Sequence, residues 1–332
     1  MLNKKKIVIL SQADFAGSAY QVACAINSVN RFEVRAVTMS NHAFDFPHDV
    51  IIPCHPINHP GTSAMNCDNY ELVMQLFYDA DIIHCWNDIP EDPDFEKGGI
   101  YLSSNKPMMV TMTGSLYRNE HPRLNSVMKA RRYKLVVQNP MLKYPYEIDS
   151  IFIPDTVDTK TLQPLQNKNN EKFTLGAYLG FVYSTMHFDW KILEECIKGK
   201  DIVLNDYKQK TSWKEHTKIV RNCDAFYHGI EISKIVGYIG RSSLEAMAMG
   251  VPVITYVNEK DSIKLSEGKI GNSIPVLNAS TLDQFKNYLD ALIKDVDLRK
   301  ELGAKGREWV EKYFSFEVVG NMYSDLYAEI LK

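Results

Sequence analysis

The sequence predicts an α/β protein built of two doubly wound, Rossmann-like domains. A length of 332 residues exceeds what one hydrophobic core usually organises. Short β-branched runs alternate with helical patterns, the signature of parallel strands joined by helices. That alternation is interrupted by a polar, turn-rich segment and then restarts.

The first strand is KIVIL (6–10). The positive charge before it leads into only a few apolar residues with no small-residue cleavage site, so it reads as a strand, not an export signal. A helical pattern follows from Ser18 to Asn27, then strands EVRAV (33–37), VII (50–52), DIIHCW (81–86), PMMVTM (107–112), KLVVQN (134–139) and SIFIP (150–154). These complete a first domain over residues 1–155. IPDTVDTKTLQPLQNKN (153–169) is polar and turn-forming, and residues 156–172 are read as the interdomain linker. Strands FTLGAYLGF (173–181), DIVLN (201–205), DAFYHGI (224–230) and VPVITY (251–256) open a second domain over 173–314. Leu282, Phe285, Leu289 and Leu292 recur at helical spacing. The last thirty residues read as helix, with Trp309, Val310, Phe314, Tyr323, Leu326 and Ile330 on the buried face.

A net charge of −3 gives no general attraction to nucleic acid, and no apolar run approaches a membrane span. A cytoplasmic protein is expected. The six cysteines include no CxxC pair, which suits reduced thiols. Cys54, His55, His59 and Cys67 lie among Pro53, Pro56, Pro60 and Gly61; their spacing matches no zinc module, and they are read as loop residues. The basic run KARRYK within residues 122–134 has two readings: a solvated helix face, or peripheral contact with anionic lipid at the inner face of a membrane.

Chemistry concentrates in GRSSLEAMAMGVPVITY (240–256). It parses as a loop, a helix capped by Ser242 or Ser243 with Leu244, Met247 and Ala248 inward, a stop at Gly250 and Pro252, and a buried strand. The N-terminus of such a helix, beside the carboxyl ends of parallel strands, suits phosphate. Arg241 adds a guanidinium for bidentate phosphate contacts, and Glu245 a carboxylate for the two hydroxyls of a ribose. The plain alternative is an ordinary capped helix.

This stretch resembles the signature of the group 1 glycosyltransferases, GT-B enzymes that are mostly retaining: Leu244-Glu245-Ala246-Met247-Ala248, then Gly250-Val251-Pro252-Val253. VGYIG (236–240) resembles the variant with a Gly-aromatic-x-Gly loop. DFAGSAYQVACAIN (14–27) resembles the glycine loop after the first strand, with Gly17 and Ser18 central and backbone N–H groups facing the cleft. ADIIHCWND (80–88) resembles the strand that ends near the acceptor, and IPDTVDTKTLQPL (153–165) the family's linker.

The resemblance implies a GT-B fold, two Rossmann-like domains facing across a cleft, with residues 315–332 crossing back to the first domain. It implies transfer of a sugar from a nucleotide-sugar donor, a UDP- or GDP-sugar, to a saccharide or lipid-linked hydroxyl, with no resident cofactor or metal. Glu245 would hold the ribose; Gly240, Arg241, Ser242, Ser243 and Gly180 would surround the phosphates; Gly17, Ser18, His84, Glu231 and Arg241 would serve the reaction. Three departures stand out. The family's glutamate eight positions before Glu245 is Gly237 here, with Glu231 the nearest substitute. The Arg and Lys expected after Gly180 are absent from FVYSTMHFDW (181–190), leaving Arg241, Lys234 and His187. The His-Gly pair is replaced by Thr113-Gly114, with His84 and His228 as candidates. The rivals are a non-catalytic GT-B binding or scaffolding protein and a sugar-nucleotide epimerase. Glu245→Ala is expected to abolish nucleotide binding and to leave the melting temperature nearly unchanged.

Overall fold

The computed structural model describes residues 4–40, 45–51, 54–56, 65–67, 70–87, 95–97, 100–102, 106–143, 149–166, 168, 170–178, 186–206 and 212–332. The chain divides into two compact units, one of Met1–Thr156 with Phe316–Lys332 and one of Val157–Ser315.

In the first unit β1 (Lys6–Ala13), α1 (Ser18–Ser28), β2 (Glu33–Ser40) and β3 (Val50–Ile51) are followed by a short antiparallel pair, β4 (Cys54–Pro56) with β5 (Met65–Cys67). Then come α2 (Tyr70–Asp79), β6 (Ile82–Trp86), a second short pair of β7 (Phe95–Lys97) and β8 (Ile100–Leu102), β9 (Met108–Met112), α3 (Ser115–Arg131), β10 (Lys134–Val137) and β11 (Ser150–Phe152). Seven strands form one parallel sheet in the order β11-β10-β9-β6-β1-β2-β3. Ile7, Val8, Ile9 and Leu10 are all buried, because helices cover both faces of a parallel sheet, and such strands read as unbroken apolar runs.

The second unit contains β12 (Phe173–Tyr178), α4 (Met186–Ile197), β13 (Ile202–Asp206), α5 (Trp213–Asn222), β14 (Ala225–His228), α6 (Ile230–Val236), α7 (Arg241–Ala248), β15 (Val253–Thr255), α8 (Glu259–Leu265), β16 (Leu277–Asn278), α9 (Leu282–Lys294) and α10 (Val296–Phe314). Its sheet is also parallel, in the order β13-β12-β14-β15-β16. Phe285, Leu289 and Leu292 of α9 are fully buried in its core.

The final helix, α11 (Phe316–Ile330), belongs to the first unit. Val319, Tyr323, Leu326 and Tyr327 join its core beside Val22, Ala23 and Ile26 of α1. A Cβ on Gly320 would stand 2.3 Å from the Ala25 carbonyl oxygen, so α1 and α11 meet backbone to backbone and only glycine fits.

Segment 156–172, read from the sequence as a linker, is fastened to the second unit. The Val157 amide donates to Phe314 O (2.9 Å), Lys168 Nζ to Cys223 O (2.6 Å), and Arg307 Nη2 to Thr159 O (2.7 Å). The same guanidinium reaches the Leu162 and Ala248 carbonyls. One half-buried guanidinium thus binds this segment to α10 and to the end of α7.

Candidate functional site

In an open parallel sheet, ligands bind beyond the carboxyl ends of the strands where the strand order reverses. In the second unit that point lies between β12 and β14, whose other neighbours are β13 and β15. β14 ends at His228, and two helices, α6 and α7, begin just after it.

The N-terminus of α6 is closed by a side chain of the protein itself. Asp189 of α4, fully buried, accepts from the amides of Glu231 (2.9 Å) and Ile232 (3.1 Å) and from the Tyr227 hydroxyl (3.0 Å). Burial raises its pKa against these hydrogen bonds. Gly229 is required here, since a Cβ would lie 2.5 Å from Asp189 Oδ2.

The N-terminus of α7 is built differently. Gly240 is the N-cap, in an extended conformation, and thus supplies no side chain to close the helix. This corrects the expectation that Ser242 or Ser243 caps it: both lie inside the helix. A Cβ on Gly240 would be 2.8 Å from His228 Cε1 and Nε2, so the ring at the end of β14 seats directly on the start of α7. His228 Nδ1 pairs with Ser233 Oγ (3.0 Å), which in turn meets Thr255 Oγ1 (3.0 Å). Burial lowers the pKa of His228 to about 4, so the imidazole is neutral at pH 7.

Beyond its first turn α7 is buried on all sides, Glu245 included. Trp213 Nε1 donates to Glu245 Oε1 (3.0 Å), and Arg241 Nε approaches the same oxygen at 3.4 Å. The side chains of this ion pair are only 8% and 4% exposed, Arg241 and Glu245 respectively. Arg241 is therefore partly engaged with Glu245 and is not a free phosphate fork. Ser242 is half-buried. Ser243 is fully buried and its hydroxyl has no hydrogen-bond partner among the described residues, so its side chain does not reach a surface ligand here.

Glu231 lies in the first turn of α6, where it forms an ion pair with Lys234 (2.7 Å). Gly237 has the left-handed conformation (φ +69°) that ends α6, a position glycine adopts without the steric cost a glutamate would carry. Gly180 and residues 181–185 lie outside the described residues, as does the His187 side chain.

In the first unit the strand order reverses between β1 and β6. Gly17 stands at this point with φ +62° as the N-cap of α1, but the loop amides are spent internally. Gly17 N donates to Asp14 O (3.1 Å), and the Ala19 and Tyr20 amides donate to the Asp14 carboxylate (2.9 Å each). Ser18 is buried and its hydroxyl accepts from Trp86 Nε1 (3.0 Å). Amides expected to face a cleft thus bond a carboxylate of their own loop.

His84, expected from sequence to serve the reaction, stands inside the core of the first unit. It is fully buried, with Nδ1 against Tyr327 Oη and Nε2 against Thr111 Oγ1, both 2.7 Å. Burial drives its pKa down to about 3. Both ring nitrogens are occupied inside the core, and this neutral histidine ties β6 to β9 and α11. Sequence reasoning missed Asp189 and Trp213 as partners within the site; they lie 42 and 32 residues from the groups they bond.

No family profile and no curated protein matches this sequence. Solved structures do match it. A glycosyltransferase from Rickettsia africae superposes with a TM-score of 0.63 at 15% identity, over 99% of each chain. HepE of Anabaena, in complex with UDP and glucose, gives 0.61 at 11% identity, over 98% of this chain and 99% of that one. WaaG, a glycosyltransferase involved in lipopolysaccharide biosynthesis, gives 0.57 at 12% identity, over 96% and 99%. The fold is GT-B. Within this GT-B chain the glycine-capped start of α7, with Arg241 and Glu245 a turn apart, lies where the fold directs a ligand of the second unit.

Proposed function

We propose that this chain is a glycosyltransferase that moves a sugar from a UDP- or GDP-sugar to a hydroxyl of a glycan or lipid-linked saccharide. One observation carries the reading: α7 presents an N-terminus with Gly240 at its cap and no side-chain cap among the described residues, at the carboxyl edge of the second unit, one turn before a buried carboxylate. Helix N-termini favour anions through their unsatisfied amides and dipole. The diphosphate sits at Gly240, Arg241 and Ser242, and Glu245 takes the ribose hydroxyls. HepE's complex with UDP and glucose supports this class of donor.

The bond from the anomeric carbon to the diphosphate breaks and its electron pair leaves with the phosphate. The acceptor oxygen forms the new bond to that carbon, and its proton passes to the departing diphosphate. Stabilising the charge that develops on the leaving group is the main electrostatic task, and the α7 amides with Arg241 perform it. Retention of configuration rests on the resemblance of residues 240–256 to the group 1 enzymes. Lys129, Arg131, Arg132 and Lys134 are exposed at the end of α3 and supply the basic surface for peripheral contact with an anionic membrane on the cytoplasmic side. Among the described residues no helix is long and apolar enough to cross one.

The test is thermal stabilisation by UDP and GDP, followed by assay of the matching sugar nucleotides for release of free nucleotide. Ligand at a hundredfold excess over Kd stabilises by about 2.7 kcal/mol. Binding without turnover with any acceptor assigns the chain to the non-catalytic rival, and a changed sugar on an intact nucleotide assigns it to an epimerase. No stabilisation by either nucleotide removes the proposal.

A further inference from the structure

The carboxylate of Glu245 is held by a residue that nothing in the 240–256 stretch reveals. Trp213 is the first residue of α5, whose N-terminus is fixed by Ser212 accepting from the Glu215 amide. That helix packs against α7. The indole N–H therefore comes from a rigid helix start and meets Glu245 Oε1 at 3.0 Å. Arg241 approaches the same oxygen from the first turn of α7. Two donors converging on one oxygen, one from each helix, fix the rotation of the carboxylate. The Trp213 ring is itself half-buried, so it borders the site as well as bracing it.

We infer that Trp213 is a positioning residue that sets the Glu245 carboxylate for the hydroxyls of a ribose, so that the site prefers a ribonucleotide to its 2′-deoxy counterpart, which offers one hydroxyl fewer. This rests on the reading of Glu245 as the ribose-binding group. A site built to bond a hydroxyl rejects the analogue that lacks it, since its own polar group is then left unpaired. The discrimination depends on orientation, and orientation is what the indole N–H supplies. Trp213→Phe keeps most of the apolar ring and removes only the donor.

The experiment compares Kd for UDP, GDP and their 2′-deoxy counterparts in four proteins: wild type, Trp213→Phe, Glu245→Gln and the double variant. Trp213→Phe is expected to weaken ribonucleotide binding about tenfold, the scale of one hydrogen bond to a charged group, and to weaken deoxynucleotide binding, which keeps only the 3′-hydroxyl, by less. The ribo-to-deoxy preference therefore narrows. On the Glu245→Gln background the indole N–H still meets an oxygen but no longer orients a charged carboxylate, so the same substitution is expected to cost clearly less than in the wild type, because coupled residues are non-additive. An unchanged preference in Trp213→Phe, or full additivity in the double variant, overturns the inference; a merely structural role would lower the melting temperature and leave the preference intact. The contact is also read without ligand. Of the four tryptophan indole N–H resonances, the one lost in Trp213→Phe must move in Glu245→Gln, and a resonance that stays in place overturns the geometry. Failure of the wild type to bind any nucleotide sinks the donor-site reading, and the ribose role with it, whether or not that resonance moves.

Discussion

Glu245→Ala tests the centre of the site, and its burial changes what the substitution does. Truncation removes the acceptor of the Trp213 N–H and the carboxylate facing Arg241, whose side chain is only 8% exposed. Removing one member of a buried ion pair costs about 3–5 kcal/mol, because the remaining charge loses its counterion without regaining water. The 3.4 Å approach and the remaining exposure place this pair at the lower end, about 3 kcal/mol. For a unit of this size each kcal/mol lowers Tm by roughly 2–4 °C, so a fall of roughly 6–12 °C is expected. This reverses the expectation from sequence that the ligand-free melting point would stay nearly constant. Glu245→Gln keeps an oxygen for the indole and loses only the charge, so it should melt within about half that interval. Calorimetry of the three proteins with and without UDP and GDP separates stability from binding. A Glu245→Ala protein melting within 2 °C of the wild type would show that the carboxylate does not support the pair, and the assignment of α7 would fall with it.

Three further outcomes follow from buried groups away from that pair. His84, with a folded pKa of about 3 against about 6.5 unfolded, takes up a proton on unfolding at mildly acidic pH. Its contribution is full above pH 6.5 and declines as pH falls below it, by about 2 kcal/mol at pH 5. Urea unfolding of His84→Gln should show a pH 8 to pH 5 loss smaller than the wild type's by that amount, and an identical loss would contradict the neutral, buried assignment. Gly320→Ala places a Cβ 2.3 Å from the Ala25 carbonyl; forcing α1 and α11 apart should cost about 1–3 kcal/mol, and an unchanged Tm would refute the backbone contact. Asp189→Ala frees the Glu231 and Ile232 amides, so hydrogen exchange at those two positions should accelerate by at least an order of magnitude; unaltered protection there would mean that α6 is held otherwise.

The strands were the most legible part of the chain, for a physical reason. KIVIL and KLVV lie in a sheet covered on both faces, and burial on both faces leaves an apolar run that needs no long-range information. β16, two half-buried residues ending in Asn278, offers no such pattern and escapes a reading of the sequence. α7 was legible through its small residues and the Gly250 stop, yet its cap was misplaced. Gly240 is demanded by the His228 ring, twelve residues back, and only the fold shows that contact. The side chains that occupy the site edges were illegible for the same reason. Asp189 stands in FVYSTMHFDW, a stretch marked in the sequence only by its missing Arg and Lys, and its acceptor role depends on amides 42 and 43 residues away. His84 could be placed on a strand but not assigned a task, because its partners come from β9 and from α11, 243 residues distant.

The distribution of carboxylates over helix starts explains why the donor reading falls on α7. A helix N-terminus attracts one anion, and a protein carboxylate placed there competes with any phosphate. Asp14 fills that place on α1 and Asp189 fills it on α6. The start of α7 has glycine at its cap and Arg241 as its first residue, with the Arg241 charge shared with Glu245 one turn on. Among the described residues, carboxylates of the chain thus occupy two of these helix starts and none bonds the start of α7, which is where the proposed diphosphate is assigned. Replacing Ser242 with Asp would put a carboxylate of the chain into that place. A Ser242→Asp protein should fold as the wild type does and fail to gain stability from UDP or GDP. Retained nucleotide stabilisation in that variant would mean that the phosphate lies elsewhere.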